Sequence, residues 1–245
     1  MNTYRTLHAA HYDLIYAGKP YADEARFVAK RLPAPGRLLD LACGTGRHAA
    51  EFEKLGWEVT GVDYSPDLLE RARANAPQAR FLEADMRELD LREQFDAVTC
   101  LFDSIGYPLT DDGVTSALAA ARRHLAPNGV LAVEYLHTPA MLRSADPLKV
   151  RRWDADGSRL VRISETRLDP AACVMHVDYE LLELRDDGTY EAASETQSNR
   201  FFTAGEFRAL VREAGLIELD TVAAYADDPA IAAETFHLLA TAAPR

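Results

Sequence analysis

Apolar and polar positions divide the stretch from Arg37 to Glu134 into short apolar runs that alternate with segments of helical periodicity. Alternation of this kind predicts an α/β fold with a parallel, doubly wound sheet. Gly56 and Pro77 mark helix ends, and the sequence Pro127-Asn128-Gly129 predicts a turn before the fifth strand. The pattern predicts strands near 37–41, 57–62, 79–84, 95–101 and 129–135 and helices near 46–55, 66–75 and 112–125.

The pattern changes to a period of two over residues 147–202. Turn signals at Asp156-Gly157, Asp169-Pro170 and Asp187-Gly188 break this stretch and predict an antiparallel β insertion. Such an insertion is either an edge or dimerisation surface or a cap that shapes a substrate cavity. A capping box then predicts a helix over 203–214, and two final strands near 216–224 and 234–241 can close the sheet as an antiparallel pair.

The first 35 residues are rich in tyrosine, and Ala22 to Leu32 has the pattern of an amphipathic helix that ends before Pro33. The ordinary interpretation is that these aromatic residues pack against the sheet. The functional interpretation is a helical lid, formed by residues 1–35, over a ligand site. We predict one domain over 1–245, since the chain is long enough for one large α/β core.

An abrupt small-residue turn follows the first strand, in the sequence LLDLACGTGRHAA from Leu38 to Ala50. Glycine permits positive φ and lets a ligand approach the backbone, and the exposed N–H groups at the helix start favour polar or negative ligand groups. By itself the turn is also compatible with an ordinary βα connection. Asp63 ends the second strand about twenty residues later, the spacing at which dinucleotide folds place a ribose-binding carboxylate.

Composition excludes several classes of protein. The net charge of −12 opposes nucleic-acid binding, because it repels a phosphate backbone. The three cysteines are scattered, so we expect no disulfide framework and no metal site. The sequence has neither a long apolar run nor a signal-peptide pattern, so we expect a cytoplasmic protein without a membrane partner.

The segment from Asp40 to Gly46 reads D-x-A-C-G-T-G and resembles the loop of class I S-adenosylmethionine (SAM)-dependent methyltransferases. Ala49 replaces the third glycine of the NAD-type motif, which makes a NAD-dependent dehydrogenase the weaker alternative. The resemblance implies a seven-stranded Rossmann-like sheet and SAM as cofactor. The implied cofactor-binding residues are Tyr12, Tyr21, Asp40, Ala42, Gly44, Gly46, Asp63, Tyr64, Asp85, Met86 and Leu101.

In that assignment Asp63 holds the ribose hydroxyls, and Asp85 with the backbone at Met86 meets the adenine amino group. Ala42, Gly44 and Gly46 pass close to the methionine part of the cofactor. Asp40 organises the loop and bonds the cofactor amine through water. The alternatives are that Asp63 and Asp85 only cap the turns that follow them.

Two further segments resemble SAM enzymes that methylate nucleotide-linked amino sugars. The segment YDLIYAGKPY precedes the sheet, and Tyr4, Tyr12 and Tyr21 match the spacing of that pattern. The resemblance implies that Tyr12 and Tyr21 face the cofactor and that Tyr4 lies at the methyl-transfer site. CLFDSIGY and the strand end VEYLH place Ser104, Tyr107, Glu134 and His137 on the substrate side. Tyr107 stands where those enzymes commonly carry histidine, and a phenol positions an acceptor more readily than it accepts a proton.

The sequence therefore predicts a SAM-dependent methyltransferase that acts on a small polar acceptor, preferably an amine, with Tyr4, Tyr107 and His137 as candidate catalytic residues. His137 is a candidate base, although a lone histidine at a strand end is commonly structural. The alternatives are a small-molecule O-methyltransferase and a non-catalytic SAM-binding regulatory module. A homodimer is a possible assembly, mediated by the β insertion.

Overall fold

The computed structural model describes residues 6–143, 147–155 and 157–245. Tyr4 lies outside the described residues. The strands are β1 (Arg37–Leu41), β2 (Glu58–Asp63), β3 (Arg80–Glu83), β4 (Phe95–Cys100), β5 (Leu125–Leu136), β6 (Leu148–Ala155), β7 (Ser158–Asp169), β8 (Val174–Arg185), β9 (Tyr190–Arg200), β10 (Leu216–Ala223) and β11 (His237–Pro244). The helices are α1 (Thr6–Ala10), α2 (Tyr12–Ile15), α3 (Tyr21–Ala29), α4 (Arg47–Lys54), α5 (Pro66–Asn75), α6 (Asp111–His124), α7 (Thr138–Arg143) and α8 (Ala204–Glu213).

Seven strands form one sheet in the order β10-β11-β5-β4-β1-β2-β3. The five strands from β1 to β5 pair in parallel, whereas β11 is antiparallel to both β5 and β10. The strand order reverses beside β1, since β2 and β3 extend the sheet on one side of β1 and β4 and β5 extend it on the other. The predicted seven-stranded, doubly wound sheet is confirmed.

Alternating side chains of each central strand bury the two faces of this sheet. Leu39 packs in a cluster with Leu118 of α6 and Phe207 of α8. Leu38, its neighbour in sequence, packs on the opposite face with Val28 of α3 and Phe52 of α4. Strands buried on both faces are typical of parallel sheets covered by helices, and this rigid core fixes where the strand ends lie.

The fifth strand begins earlier than the sequence predicts. Pro127-Asn128-Gly129 does not form a separate turn before β5, because the strand already pairs at Leu125 with Phe95. The next pair joins Val130 to Ala97, so the residues between them form an irregularity within the strand. The turn-forming residues therefore produce a bulge rather than a boundary.

The strands β6 to β9 form a second, antiparallel sheet in consecutive order. Its inward face packs on the N-terminal helices, where Leu160 and Leu181 cluster with Leu7 and Ile15. The predicted antiparallel insertion over 147–202 is confirmed. The chain leaves and re-enters the first sheet at one point, since Phe202 donates its N–H to the Leu136 carbonyl at 2.9 Å and accepts the Thr138 N–H at 2.9 Å.

The N-terminal helices lie between the two sheets. Asp13 of α2 accepts a hydrogen bond from the Thr45 hydroxyl at 2.7 Å, and His11 lies 3.3 Å from Glu183 of β8. The buried His8 contacts Glu195 of β9 at 2.7 Å. Within the described part of the chain, no helix combines the length and apolar character that crossing a membrane requires.

Candidate active site

The carboxyl ends of β1, β2, β3 and β4 open into a cleft of about 850 Å³, a volume that includes space open to solvent. Ligands of open α/β sheets bind at this edge, where the strand order reverses. The cleft is lined by side chains or backbone of Tyr12, Tyr21, Asp40, Ala42, Cys43, Gly44, Thr45, Arg47, His48, Asp63, Tyr64, Ser65, Leu68, Ala84, Met86, Leu101, Phe102, Ser104 and Tyr107.

The turn after β1 lies on the floor of this cleft. Its backbone is in the left-handed region at Ala42, Gly44 and Gly46, with φ values of 53°, 55° and 71°. A Cβ added to Gly44 would meet no described atom within 4 Å, so its absence leaves open space in the cleft. At Gly46 the same atom would come within 3.0 Å of Ala72.

The two glycines of the turn therefore have different roles. Gly44 keeps the cleft open, whereas Gly46 allows α4 to begin close to α5 and does not line the cleft. The predicted contact of Gly46 with the ligand stays a prediction.

Asp63 at the end of β2 connects the second strand to the turn. Its carboxylate accepts the Gly44 N–H at 2.8 Å and the Ser65 N–H at 2.9 Å. Burial raises the pKa of this carboxyl, although the backbone N–H donors act against the shift. Asp63 holds the turn in shape and presents a carboxylate to the cleft.

Asp40 is almost fully buried beneath the turn. It accepts a hydrogen bond from the Thr99 hydroxyl at 2.7 Å, and its side chain lines the cleft. Burial raises the pKa of Asp40 to about 6, while nearby His48 and the Thr99 hydroxyl act against the shift. A cationic group bound beside Asp40 would favour the ionised carboxylate.

Aromatic rings form one wall of the cleft. The Tyr16 ring lies 4.6 Å from the Tyr12 ring and 5.3 Å from the Phe102 ring, measured between centroids. The Lys19 ammonium lies 4.3 Å from the Phe102 centroid. Burial raises the pKa of Tyr12 well above its usual value, so its phenol remains neutral. Edge and face contacts of this kind hold the rings in fixed positions.

Phe102 occupies an unusual backbone conformation. Phe102 and Asp103 are consecutive non-glycine residues in the left-handed region, with φ values of 55° and 58°. The buried Glu134 accepts the Phe102 N–H at 2.7 Å and the Tyr225 hydroxyl at 2.6 Å. Glu134 thus stabilises the turn that directs Phe102 to the cleft, although it does not itself line the cleft.

His237 joins this cluster from β11. Its Nδ1 lies 3.1 Å from Asp103 and 3.3 Å from Glu134. The two carboxylates outweigh the effect of burial and raise the pKa of His237 to about 9. Single ligand atoms of these three residues lie within 4.8 Å of one another, a spacing compatible with a metal ion. The protonated imidazole in this cluster balances carboxylate charge.

Two predicted site residues, Asp85 and His137, are not among the residues that line the cleft. The Asp85 carboxylate pairs with the Arg87 side chain, which lowers the pKa of Asp85, and it does not line the cleft. Its neighbours Ala84 and Met86 do line it. His137 is also outside the cleft lining, and its Nδ1 lies 3.1 Å from the Thr235 carbonyl.

His137 lies outside the lining of this cleft, and its predicted place on the substrate side stays a prediction. It stands at the junction where the chain leaves the first sheet, and burial lowers its pKa. Of the candidate catalytic residues within the described part of the chain, only Tyr107 lines the cleft.

Sequence reasoning missed several residues of the site. His48, which contacts Glu24 at 2.8 Å, and Arg47, whose guanidinium lies 5.2 Å from the Tyr21 ring, both line the cleft. Their position directly after the glycine turn is a local signal that could have identified them. No local signal marks Tyr225 or His237, since their partners lie 91 and 134 residues away in sequence.

Comparison with known proteins gives the class of this molecule. Residues 38–129 match the family model described as a methyltransferase domain. The chain is 36% identical over 237 residues to dTDP-3-amino-3,4,6-trideoxy-alpha-D-glucopyranose N,N-dimethyltransferase of Streptomyces venezuelae, covering 86% of this chain and 94% of that protein. The chain belongs to the class I SAM-dependent methyltransferases.

Solved structures of sugar methyltransferases share the whole architecture. SAM-bound CalS10, an amino pentose methyltransferase from Micromonospora echinaspora, is 31% identical with a TM-score of 0.75 and 98% coverage of both chains. The sugar N-methyltransferase KedS8 from Streptoalloteichus sp is 27% identical with a TM-score of 0.82, covering 100% of this chain and 97% of that one. The predicted class, fold and cofactor are confirmed.

Proposed function

We propose that this enzyme transfers methyl groups from SAM to the amine of a nucleotide-linked amino sugar. One observation carries the proposal: a single cleft joins the glycine turn and its carboxylates to the wall formed by Phe102 and Tyr107 beneath the second sheet. Relatives named as N-methyltransferases of dTDP-linked amino sugars match most of the chain, which supports a nitrogen acceptor.

The residues at the cleft fit SAM. The open space beside Gly44 admits the methionine part against the backbone of Ala42 and Gly44. Asp40 is proposed to receive the cofactor amine, and the carboxylate of Asp63 to receive the ribose hydroxyls. When bound, SAM would supply an activated methyl group on a positively charged sulfur. The amine lone pair would bond to the methyl carbon as the carbon–sulfur bond breaks, and S-adenosylhomocysteine and a proton would be released.

Other residues are proposed to complete the cofactor site. Tyr12 and Tyr21 cover it from the N-terminal helices, Tyr64 lies at its half-exposed rim, and Leu101 offers its backbone. Met86 is proposed to meet the adenine base with its backbone. Asp85 remains a proposed adenine contact because both of its neighbours line the cleft, and reaching the base requires it to leave Arg87.

The acceptor side is proposed to work by positioning. Tyr107 lines the cleft, and its phenol can orient an acceptor by a hydrogen bond while Phe102 excludes water beside it. Tyr4 remains a proposed partner at the methyl-transfer site. Because His137 lies outside the cleft lining and its Nδ1 lies 3.1 Å from the Thr235 carbonyl, we propose a structural role for it rather than the role of a base.

The N-terminal helices are proposed to act as a lid and the second sheet as a cap. Asp13 and Glu24 connect the helices to the turn and to α4, and His8 and His11 connect them to the second sheet. These contacts support the proposal that both elements cover the cleft. A homodimer remains a prediction, which light scattering of the full chain tests.

Calorimetric titration with SAM, S-adenosylhomocysteine and NAD tests the cofactor site. Micromolar binding of the first two and none of NAD is expected. Asp63→Asn should weaken S-adenosylhomocysteine binding at least ten-fold, because it removes a charged acceptor of ribose hydroxyls. The matched control is Asp67→Asn, an exposed carboxylate on α5, which should bind as the unaltered enzyme does. Failure of the unaltered enzyme to bind SAM would overturn the proposal.

Methyl transfer is then measured with labelled SAM against dTDP-linked amino sugars, free amino acids and the matching hydroxyl sugars. Mass spectrometry should detect one or two added methyl groups on the sugar nitrogen. Methylation of the hydroxyl sugars alone would replace the nitrogen acceptor by an oxygen one. SAM binding without transfer to any small acceptor would favour a regulatory binding module.

A further inference from the structure

The inward face of the second sheet carries a buried arginine. Arg162 lies in the middle of β7 and is 7% exposed. Its guanidinium lies 5.8 Å from the ring of Tyr16, 5.4 Å from that of Trp153 and 5.2 Å from that of Tyr179. Three aromatic rings thus surround one planar cation, an arrangement that holds the guanidinium in place and orients its edge.

Among the described residues, this guanidinium has no ion-pair partner. Over residues 6–143, 147–155 and 157–245, no carboxylate forms an ion pair with Arg162. Its Nε and Nη1 are buried and have no hydrogen-bond partner in the same ranges. A buried cation without a counter-ion is costly, and cation–π contacts offset only part of that cost.

Other buried polar groups on the same face share this property. Gln197 and Asn199 of β9 are 5% and 7% exposed, and their side-chain carbonyl oxygens have no partner among the described residues. The Asn199 amide donates to the Asp103 carbonyl at 3.0 Å, which places it directly above the Phe102 turn. Buried side-chain polar atoms are nearly always paired in folded proteins. The unpaired atoms on this inward face therefore mark positions at which a polar ligand would find partners.

The aromatic rings connect Arg162 to the cleft. Tyr16, which contacts the guanidinium, also contacts Tyr12 and Phe102, and both of those line the cleft. The Tyr16 ring therefore separates the Arg162 guanidinium from the cleft wall at which methyl transfer is proposed to occur. An acceptor that reached both positions would carry an amine at one end and an anion at the other.

We infer that Arg162 forms an anion subsite for the diphosphate of the nucleotide-linked acceptor. The inference rests on the proposed function, since it assumes that the acceptor enters beside Phe102. The fork of N–H donors matches two oxygens of a phosphate, and the ligand charge would neutralise the buried cation. Gln197 and Asn199 would accept hydrogen bonds from hydroxyl or N–H groups of the same ligand.

Calorimetric titration of the full chain with thymidine 5′-diphosphate and with inorganic pyrophosphate tests the subsite. The main variant is Arg162→Met, which keeps an unbranched side chain for packing against the three rings, and Arg162→Gln is the second. Arg159→Gln is the matched control, because it removes the same charge from the same strand at an exposed position paired with Asp154. S-adenosylhomocysteine binding reports that each variant is folded.

We expect both Arg162 variants to bind thymidine 5′-diphosphate at least ten-fold more weakly than the unaltered enzyme and the control, with S-adenosylhomocysteine affinity within two-fold throughout. Equal diphosphate affinity in the variant that remains folded would overturn the subsite, as would failure of the unaltered enzyme to bind either diphosphate. The two ligands test the two proposals separately. Failure of the unaltered enzyme to bind S-adenosylhomocysteine would contradict the proposed function, whereas failure to bind a diphosphate would contradict only the subsite.

Discussion

The two sides of the cleft are built from different kinds of contact. On the cofactor side, a carboxylate at the end of one strand holds a turn only 19 residues away in sequence. On the acceptor side, side chains meet across separations of 91 to 187 residues. The first kind of site is local and presents a general nucleotide-binding surface, whereas the second depends on how distant elements pack and can vary with the substrate.

The largest expected effect is a loss of cofactor affinity on substitution of Gly44. It separates obstruction of the cleft from the backbone strain that a side chain causes at any left-handed glycine. Gly44→Val should weaken S-adenosylhomocysteine binding at least 100-fold, because the side chain enters the open space of the cleft in addition to straining a left-handed residue. Gly188→Val is the control, since that hairpin glycine has φ +84° and open space but lies far from the cleft. Equal losses of cofactor affinity in the two variants would show that Gly44 has no special place in the site.

A second prediction concerns the charge under the turn. The pKa of about 6 for Asp40 means that cofactor affinity should rise roughly ten-fold between pH 5 and pH 7, as the carboxylate that pairs with the cofactor amine ionises. Asp40→Asn should lower the affinity by about 10- to 100-fold at pH 7.5 and remove this pH dependence. Calorimetry across this range measures both effects, and an unchanged pH profile in the variant would contradict the assignment.

The same variant has an opposite effect on stability. The pKa of Asp40 is higher in the folded chain than the ordinary value of 3.8, so the ligand-free protein loses stability as the pH rises through about 6. Asp40→Asn should therefore raise the Tm of the ligand-free enzyme at pH 8, and the gain should vanish below about pH 4. A lower Tm at pH 8 would show that the carboxylate is a net structural contact.

On the acceptor side, substitution of Glu134 tests whether contacts between residues distant in sequence stabilise the Phe102 turn. Glu134→Ala leaves the buried Phe102 N–H and Tyr225 hydroxyl without their acceptor and should lower the free energy of unfolding by about 2–4 kcal/mol. Glu134→Gln keeps an oxygen acceptor and should lose less than half as much. Urea unfolding measures both, and equal losses would indicate that charge rather than hydrogen bonding holds the turn.

Removal of the Glu134 carboxylate should also lower the pKa of His237, since that carboxylate favours the protonated imidazole. Histidine titration by NMR in Glu134→Gln checks this direction. An unchanged His237 pKa would assign the stabilisation of the imidazolium to Asp103 alone.

The smallest effect is expected on the outward face of the second sheet. Arg167 and Asp178 form an exposed ion pair at 2.8 Å, and Arg167→Ala should change the free energy of unfolding by less than about 0.5 kcal/mol. Methyl transfer should be unaffected. A loss of activity would mean that the outward face also contributes to the site or to an interface between copies.

This division between local and distant contacts explains what the sequence could predict. Leu38 and Leu39 pack on opposite faces of the sheet, and local alternation of this kind was enough to predict the strands of the sheet. Asp63 and Gly44 were predictable because they lie in consecutive elements of one βαβ unit, 19 residues apart. The cluster of Asp103, Glu134 and His237 was not, because β11 reaches β5 only after the intervening second sheet. His137 resembled a substrate-side residue because a strand end alone does not tell where its side chain packs.

The junction beside His137 bears on how this fold can change. Phe202 forms backbone hydrogen bonds with the residues on either side of His137, so the segment that contains β6 to β9 begins and ends beside the same contact. β5 pairs with β11, and this pairing does not involve the inserted segment. The inserted segment can therefore be exchanged as a unit while the parallel strands keep their register. Grafting the corresponding segment of a relative between these two anchors should transfer acceptor preference and leave cofactor recognition intact.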